Sequence, residues 1–172
     1  MRALQRHLSR RSTATVRERP VSSVSSASGT MRVLGETFTV ETSTRVEIVD
    51  LTERITAIVT RLGVRDGLVT LASLHTTCAL FINESQHALR SDMLAFLEHV
   101  VDPDAPWLHN DPEHSDCDRA NADAHLRAMF LGHSLSLQLC EGEIVLGQWQ
   151  RILMAELDGP RPRTLRIQAL GI

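Results

Sequence analysis

The C-terminal stretch SLSLQLCEGEIVLGQWQRILMAELDGPRPRTLRIQALGI (134–172) decides the fold class. SLSLQL reads as one strand, Glu141-Gly142 as a turn, and EIVLGQWQRILMAEL as strand with a break near Gly147, because glycine inside a strand marks a bulge or bend. DGPRP forms a further turn and RTLRIQALGI a last strand. A run of strands with no helix between them excludes an alternating α/β sheet.

Working back toward the N-terminus, the period changes in a consistent order. In RVLGETFTVET (32–42), Leu34, Glu36, Phe38 and Val40 share one face and Thr37, Thr39 and Glu41 the other; TRVEIV (44–49) alternates again. Asp50 precedes a helix with Glu53 three residues on, a capping-box spacing, and Leu51, Ile55, Ile58, Val59 and Leu62 form an apolar stripe ended by Gly63. LVTLASLH and ALFINE follow as strands. A second helix runs from about Ser85 to Val101, with Leu89, Met93, Leu94, Phe96 and Leu97 at helical spacing, and a third from about Ala120 to Leu131, closed by Gly132. Between them, Asp102 to Asp118 is a proline- and aspartate-rich loop, of a length that is usually functional or disordered in compact domains. The expected fold is α+β, a mixed sheet folded as a sandwich with helices, in the order β-β-α-β-β-α-α-β-β-β.

Composition narrows the chemistry. At 172 residues and 42% hydrophobic content, the chain suits one domain. Every cation is arginine: lysine is absent, which excludes a Schiff base and a Walker A lysine. Phosphate must then be held by arginine, backbone N–H groups, histidine or a metal. Residues 1–30 carry six arginines against Glu18, a balance of +5, so the remainder carries −8 to reach the overall −3. They read as a disordered Arg/Ser-rich extension or as residues ahead of a true start at Met31; the composition also resembles a transit peptide, the less favoured reading. Three cysteines without a CxxC pair point to a reducing, cytoplasmic setting. No apolar run approaches a membrane span. Nucleic acid is not expected as a partner of an acidic core with 3% aromatic residues.

Candidate chemistry is scattered. HNDPEHSDCDRANADAH (109–125) offers His109, His114, Cys117 and His125 as metal ligands, but their spacing matches no common zinc signature. His75 closes a strand beside Thr76 and Thr77. Glu84 ends the next strand, where it equally suits the N-terminal charge of a helix. Trp149 sits in GQWQ, where a core indole beside a bulge is the plainer reading, and Arg161 and Arg163 lie in a turn that suits a phosphate if it faces a cleft.

HTTCALFINE, His109 after an aromatic, NADAHLRAMFLGHSL and GEIVLGQWQRILMAELDGPR, in that order, resemble the YjbQ family, often labelled secondary thiamine-phosphate synthase. The likeness covers Met31 to Ile172. It implies a homotrimer and a thiamine-phosphate synthase activity that joins hydroxymethylpyrimidine diphosphate to a thiazole phosphate and releases diphosphate. It also implies roles for His75, His109, His125 and Glu84, and matches its C-terminal signature at Gly147, Trp149, Gln150, Glu156 and Gly159. Gln148 departs from the family's usual threonine and Ser85 from its usual asparagine.

On that resemblance, His75 and Glu84 are expected to be catalytic, with Glu84 as acid/base. Thr76, Trp149, Gln150, Arg161 and Arg163 are expected to bind a small phosphorylated substrate. His109, His125 and His75 are expected to hold a divalent metal, zinc by ligand type or magnesium by diphosphate chemistry. The alternatives are a metal-dependent enzyme on another small phosphorylated or anionic substrate, and a non-enzymatic trimer that binds a metal or anion.

Overall fold

A computed structural model describes residues 26–172. The reading of residues 1–30 as an extension lies, up to residue 25, outside the described residues.

Among the described residues, eight strands and three α-helices follow in the order β1 (Arg32–Glu41), β2 (Glu47–Asp50), α1 (Thr52–Leu62), β3 (Gly67–Ser73), β4 (Cys78–Asn83), α2 (His87–Val100), α3 (Ala122–Leu131), β5 (Ser134–Cys140), β6 (Glu143–Ile144), β7 (Arg151–Glu156) and β8 (Pro162–Gly171). The class is α+β, as expected. One strand more than expected arises because the sequence from Glu143 to Glu156 divides: residues 145–150 leave the sheet, and the Gly147 and Gln150 backbones close a turn that the Gln150 side chain also ties.

Two sheets face each other, one in the order β1-β8-β3-β5-β6 and one in the order β2-β7-β4. The expected sheet was mixed, yet every pairing among the described residues is antiparallel. The reason is that no βαβ crossover links neighbouring strands, and a parallel pair needs one. Phe38, Val40, Val69, Leu71, Leu137, Leu165 and Ile167 from the larger sheet pack on Leu80, Ile152 and Met154 from the smaller, with Ile55, Ile58 and Val59 of α1 closing the same core. The alternation read in β1 is the burial pattern observed, with Phe38 and Val40 inside and Thr37 and Thr39 outside.

Helices α2 and α3 cover the other face of the small sheet, where Ala124 and Ala128 meet Ala79, Ala155 and Leu157. Small residues on both sides let helix and sheet approach closely. Arg127 then ties α2 to α3: it pairs with Asp123 and donates to the carbonyls of Leu97 and Val101 at the end of α2. Of the apolar residues expected along α2, Leu97 is the buried one and Phe96 lies exposed.

The capping box expected at α1 does not form. Asp50 accepts from the Thr52 N–H and hydroxyl, its second oxygen is held by Arg151 from β7, and the exposed Glu53 reaches back only to Arg151 at 4.0 Å. A long-range cation takes the acid that local spacing assigned to the cap.

At the other end of β7, Glu156 and Arg163 form a buried ion pair across the β7–β8 connection, 0% and 1% exposed. Arg163 donates to both Glu156 oxygens and to the carbonyl and hydroxyl of Thr77. Burial opposes its charge, but the Glu156 carboxylate holds the guanidinium above its ordinary pKa. Removing one partner strands the other charge, so Arg163→Met is expected to cost about 3–5 kcal/mol. The double variant Glu156→Gln/Arg163→Met is expected to regain part of that loss. Urea unfolding midpoints check both, and an unmoved midpoint in Arg163→Met refutes a supporting role for the pair.

Candidate functional site

The ion pair anchors a polar network at one end of the sandwich. Glu156 Oε1 accepts from the Asp158 N–H, and Thr42 Oγ lies 3.1 Å from Glu156 Oε2 while accepting from the Arg161 N–H. The 156–161 turn is thereby fixed, with the Gly159 N–H donated to the Arg45 carbonyl. A Cβ on Gly159 would stand 2.7 Å from the Thr44 oxygen and 2.8 Å from Glu156 Cγ, so the turn has room for glycine alone.

Thus aimed, Asp158 Oδ2 accepts from Arg161 at 2.7 Å, Asn121 Nδ2 at 2.9 Å and Arg119 at 3.2 Å. Asn121 Oδ1 faces His109 Nε2 at 3.2 Å. The His109 ring meets that of His125 edge-on, with centroids 5.0 Å apart. Both histidines line a cleft of about 270 Å³ with Trp107, Leu108, Ala122 and Leu126. The long loop sets one wall through a 3₁₀ turn at Leu108–Asn110, and α3 supplies the other.

His75 occupies the turn after β3, where its Nε2 accepts from the Thr164 N–H at 2.7 Å. Burial lowers its pKa, and Arg163 lowers it further against the opposing charge of Glu156. Burial likewise lowers that of His125, with His109 adding to the effect and Asp158 and Asp123 opposing it. Both imidazoles are therefore neutral at pH 7.

The structure links His109 and His125 to Arg161 through Asn121 and Asp158, and sets His75 within the field of Arg163, Glu156 and Arg161. It separates others. Thr76 is exposed, and Thr77 beside it is the residue that joins the network. Glu84, Trp149 and Gln150 lie at the opposite end of the small sheet, since β4 and β7 run antiparallel from Cys78↔Glu156 to Asn83↔Arg151. That separation is about 20 Å at roughly 3.3 Å per strand residue. Trp149 is 47% exposed rather than a core indole. His114 pairs with Asp111 on the surface, and Cys117 is half-buried on the loop.

Of the three histidines expected to hold a metal, His109 and His125 meet ring to ring, while His75 has a partner of its own. Thr164 engages the Nε2 of His75, and among the described residues no three His, Cys, Asp or Glu side chains group to hold a metal. Four network residues were not singled out from sequence: Thr42, Thr77, Asn121 and Asp158. The Asp-Gly pair was legible as a turn, but nothing local marks Asp158 as the partner of a residue far back in the chain.

Comparison with known proteins identifies the family. Residues 36–172 match the family model described as UPF0047 protein YjbQ-like. The chain is similar to a UPF0047 protein of Methanothermobacter thermautotrophicus, 40% identical over 82% of this chain and 94% of that one. A UPF0047 protein of Archaeoglobus fulgidus is 42% identical over 77% and 98%. Among solved structures, a YbjQ-like protein of unknown function from Sulfolobus solfataricus superposes with a TM-score of 0.77 at 34% identity, over 83% of this chain and all of that one. These findings correct the thiamine-phosphate synthase activity that the resemblance implied: the relatives carry only the UPF0047 name or are of unknown function. The chain belongs to the UPF0047 YjbQ-like family.

Proposed function

We propose that the polar end of the sandwich binds a small phosphorylated molecule and exchanges a proton with it through the His109–His125 pair. The observation that carries this reading is the charge balance. Arg119, Arg161 and Arg163 face only Glu156 and Asp158, and the neighbouring His75 and His125 are neutral, which leaves a positive surplus in a chain whose net charge is −3. A guanidinium fork matches the oxygens of a phosphate. The ring nitrogens of His125 make no hydrogen bond to a described residue, so they are available to a ligand in the cleft. A neutral imidazole beside a held anion is suited to general acid–base work, worth typically 10²–10⁴-fold in rate.

His109 and His125 are also the residues that would hold a divalent cation, which would supply Lewis acidity to the phosphate. A cytosolic setting is supported by the free thiols of Cys78 and Cys117. Self-association as a homotrimer is supported by the register of the large sheet, which aligns the exposed Val33, Leu170 and Leu68 on neighbouring strands of its uncovered face. No helix among the described residues is long and apolar enough to cross a membrane.

Inorganic phosphate titrated into the full chain is expected to shift the imidazole NMR signals of His109 and His125. Arg161→Gln is expected to weaken the apparent affinity about tenfold, equivalent to roughly 1.4 kcal/mol. Unmoved imidazole signals at saturating phosphate would sink the anion-binding reading.

Stability should also follow the two depressed histidines. Their folded pKa values lie below the unfolded value of about 6.5, so the unfolded chain takes up protons first as pH falls. Their contribution is complete above about pH 6.5 and is lost as pH drops through the folded values. In His75→Gln, whose amide oxygen can still accept from the Thr164 N–H, the loss of urea resistance between about pH 7.5 and pH 5 is expected to be smaller than in the wild type. Equal losses in the two proteins refute the titration assigned to His75.

A further inference from the structure

Asn121 occupies the N-cap position of α3, where an asparagine ordinarily accepts from the N–H groups of the first turn. Here its side chain makes no capping bond: the Ala124 N–H is taken by the Asn121 backbone carbonyl at 3.0 Å, and the Ala122 N–H by Asn110 Oδ1 at 2.9 Å. The buried Asn121 amide is thereby released from its usual task and lies between Asp158 and His109.

Its orientation follows from donor and acceptor counting. The Asp158 carboxylate, already taking hydrogen bonds from two guanidiniums, can only accept, so the atom facing it must be the Nδ2 donor. Asn121 then presents its oxygen to His109, and an oxygen can only accept. His109 Nε2 must therefore carry a proton. In the neutral ring the lone pair is left on Nδ1, which makes no hydrogen bond to a described residue.

We propose that Asn121 is a positioning residue that, held by Asp158, fixes His109 in the Nε2–H tautomer and so leaves the ring's lone pair on Nδ1, the nitrogen offered to a ligand. The proposal rests on the acid–base reading above for the purpose of the tautomer, though not for its existence. It gives the two histidines unequal roles. His109 is oriented by a carboxylate through an amide, in the manner in which catalytic and metal-bound histidines are oriented by their outer partners. His125, with no such partner, is free in tautomer and ring orientation.

The test is two-bond ¹H–¹⁵N NMR of the imidazole nitrogens in the ligand-free full chain, recorded where the histidines are neutral. The expected wild-type pattern is a protonated Nε2 and an unprotonated Nδ1 for His109, with its Nε2–H proton protected from exchange. In Asn121→Ala the protection is lost and the shifts of the two nitrogens move toward the average of the tautomers. In Asp158→Asn the Asn121 amide is free to turn, and the same averaging is expected. A wild-type His109 protonated on Nδ1, or a tautomer unchanged in both variants with the fold retained, overturns the proposal. Because no ligand is present, the outcome is separable from phosphate binding: a fixed tautomer without phosphate shifts would uphold Asn121 and reject only the anion-binding reading.

Discussion

The Glu156–Arg163 ion pair is the constraint on which the candidate site depends. Two fully buried charges are costly to remove from water, and they persist only when nearly every lone pair and N–H group finds a partner. Here both Glu156 oxygens and the Arg163 fork are engaged, with Thr77, Thr42 and the Asp158 N–H completing the set. Each added partner also ties down a piece of chain: Thr77 the β3–β4 turn, Thr42 the end of β1, and Asp158 the turn leaving β7. The charge pair thus works as a register pin for three connections, and the same fixation aims the Asp158 carboxylate at Arg119, Arg161 and Asn121. Gly159 is part of this device, because a larger residue would press on Glu156 itself.

The two ends of β7 carry the same chemistry in different solvent. At the Arg151 end, Asp50 is only partly buried, and its carboxyl is held low although burial works against it, by Thr52 and Arg151. At the Glu156 end the pair is fully dry. Burial is the largest cause of the histidine shifts at that end, with neighbouring charges adding to it or opposing it. Trp149, Gln150 and Glu84 share the wetter end, so the motif residues of the chain fall into two groups held apart by the length of one strand.

What was legible in the sequence was what depends on neighbours along the chain. Period-two alternation in β1, the stripe of α1 and the glycines closing α1 and α3 each express a local rule, and each is observed. Features set by distant partners were misread. Asp50 and Glu53 have capping-box spacing, but Arg151 lies far along the chain and takes Asp50. Thr76 and Thr77 are equivalent by sequence, and only the strand's facing decides that Thr77 turns inward. Asn121 was not singled out at all, because its partners Asp158 and His109 lie far from it along the chain. The three motif histidines were named from the resemblance, and their separate partners could not be read from spacing.

The three motif histidines have unlike surroundings. A proton added to His75 Nε2 would confront the Thr164 N–H with a second donor, so the backbone itself resists its charging. His109 meets an amide oxygen on its Nε2 side, which favours a proton there whether the ring is neutral or charged. His125 meets the His109 ring edge-on and the cleft, so its protonation answers first to burial, then to His109, against the opposing charges of Asp158 and Asp123, and to whatever the cleft contains. A fixed donor, a fixed orientation and a responsive partner thus arise from one residue type, through a backbone N–H, an asparagine and a neighbouring ring. An anion drawn in by the surplus guanidinium charge would favour the charged form of His125, the imidazole with the fewest constraints. Binding of a phosphate and uptake of a proton would in that case be coupled by electrostatics alone, without any movement of the sheet.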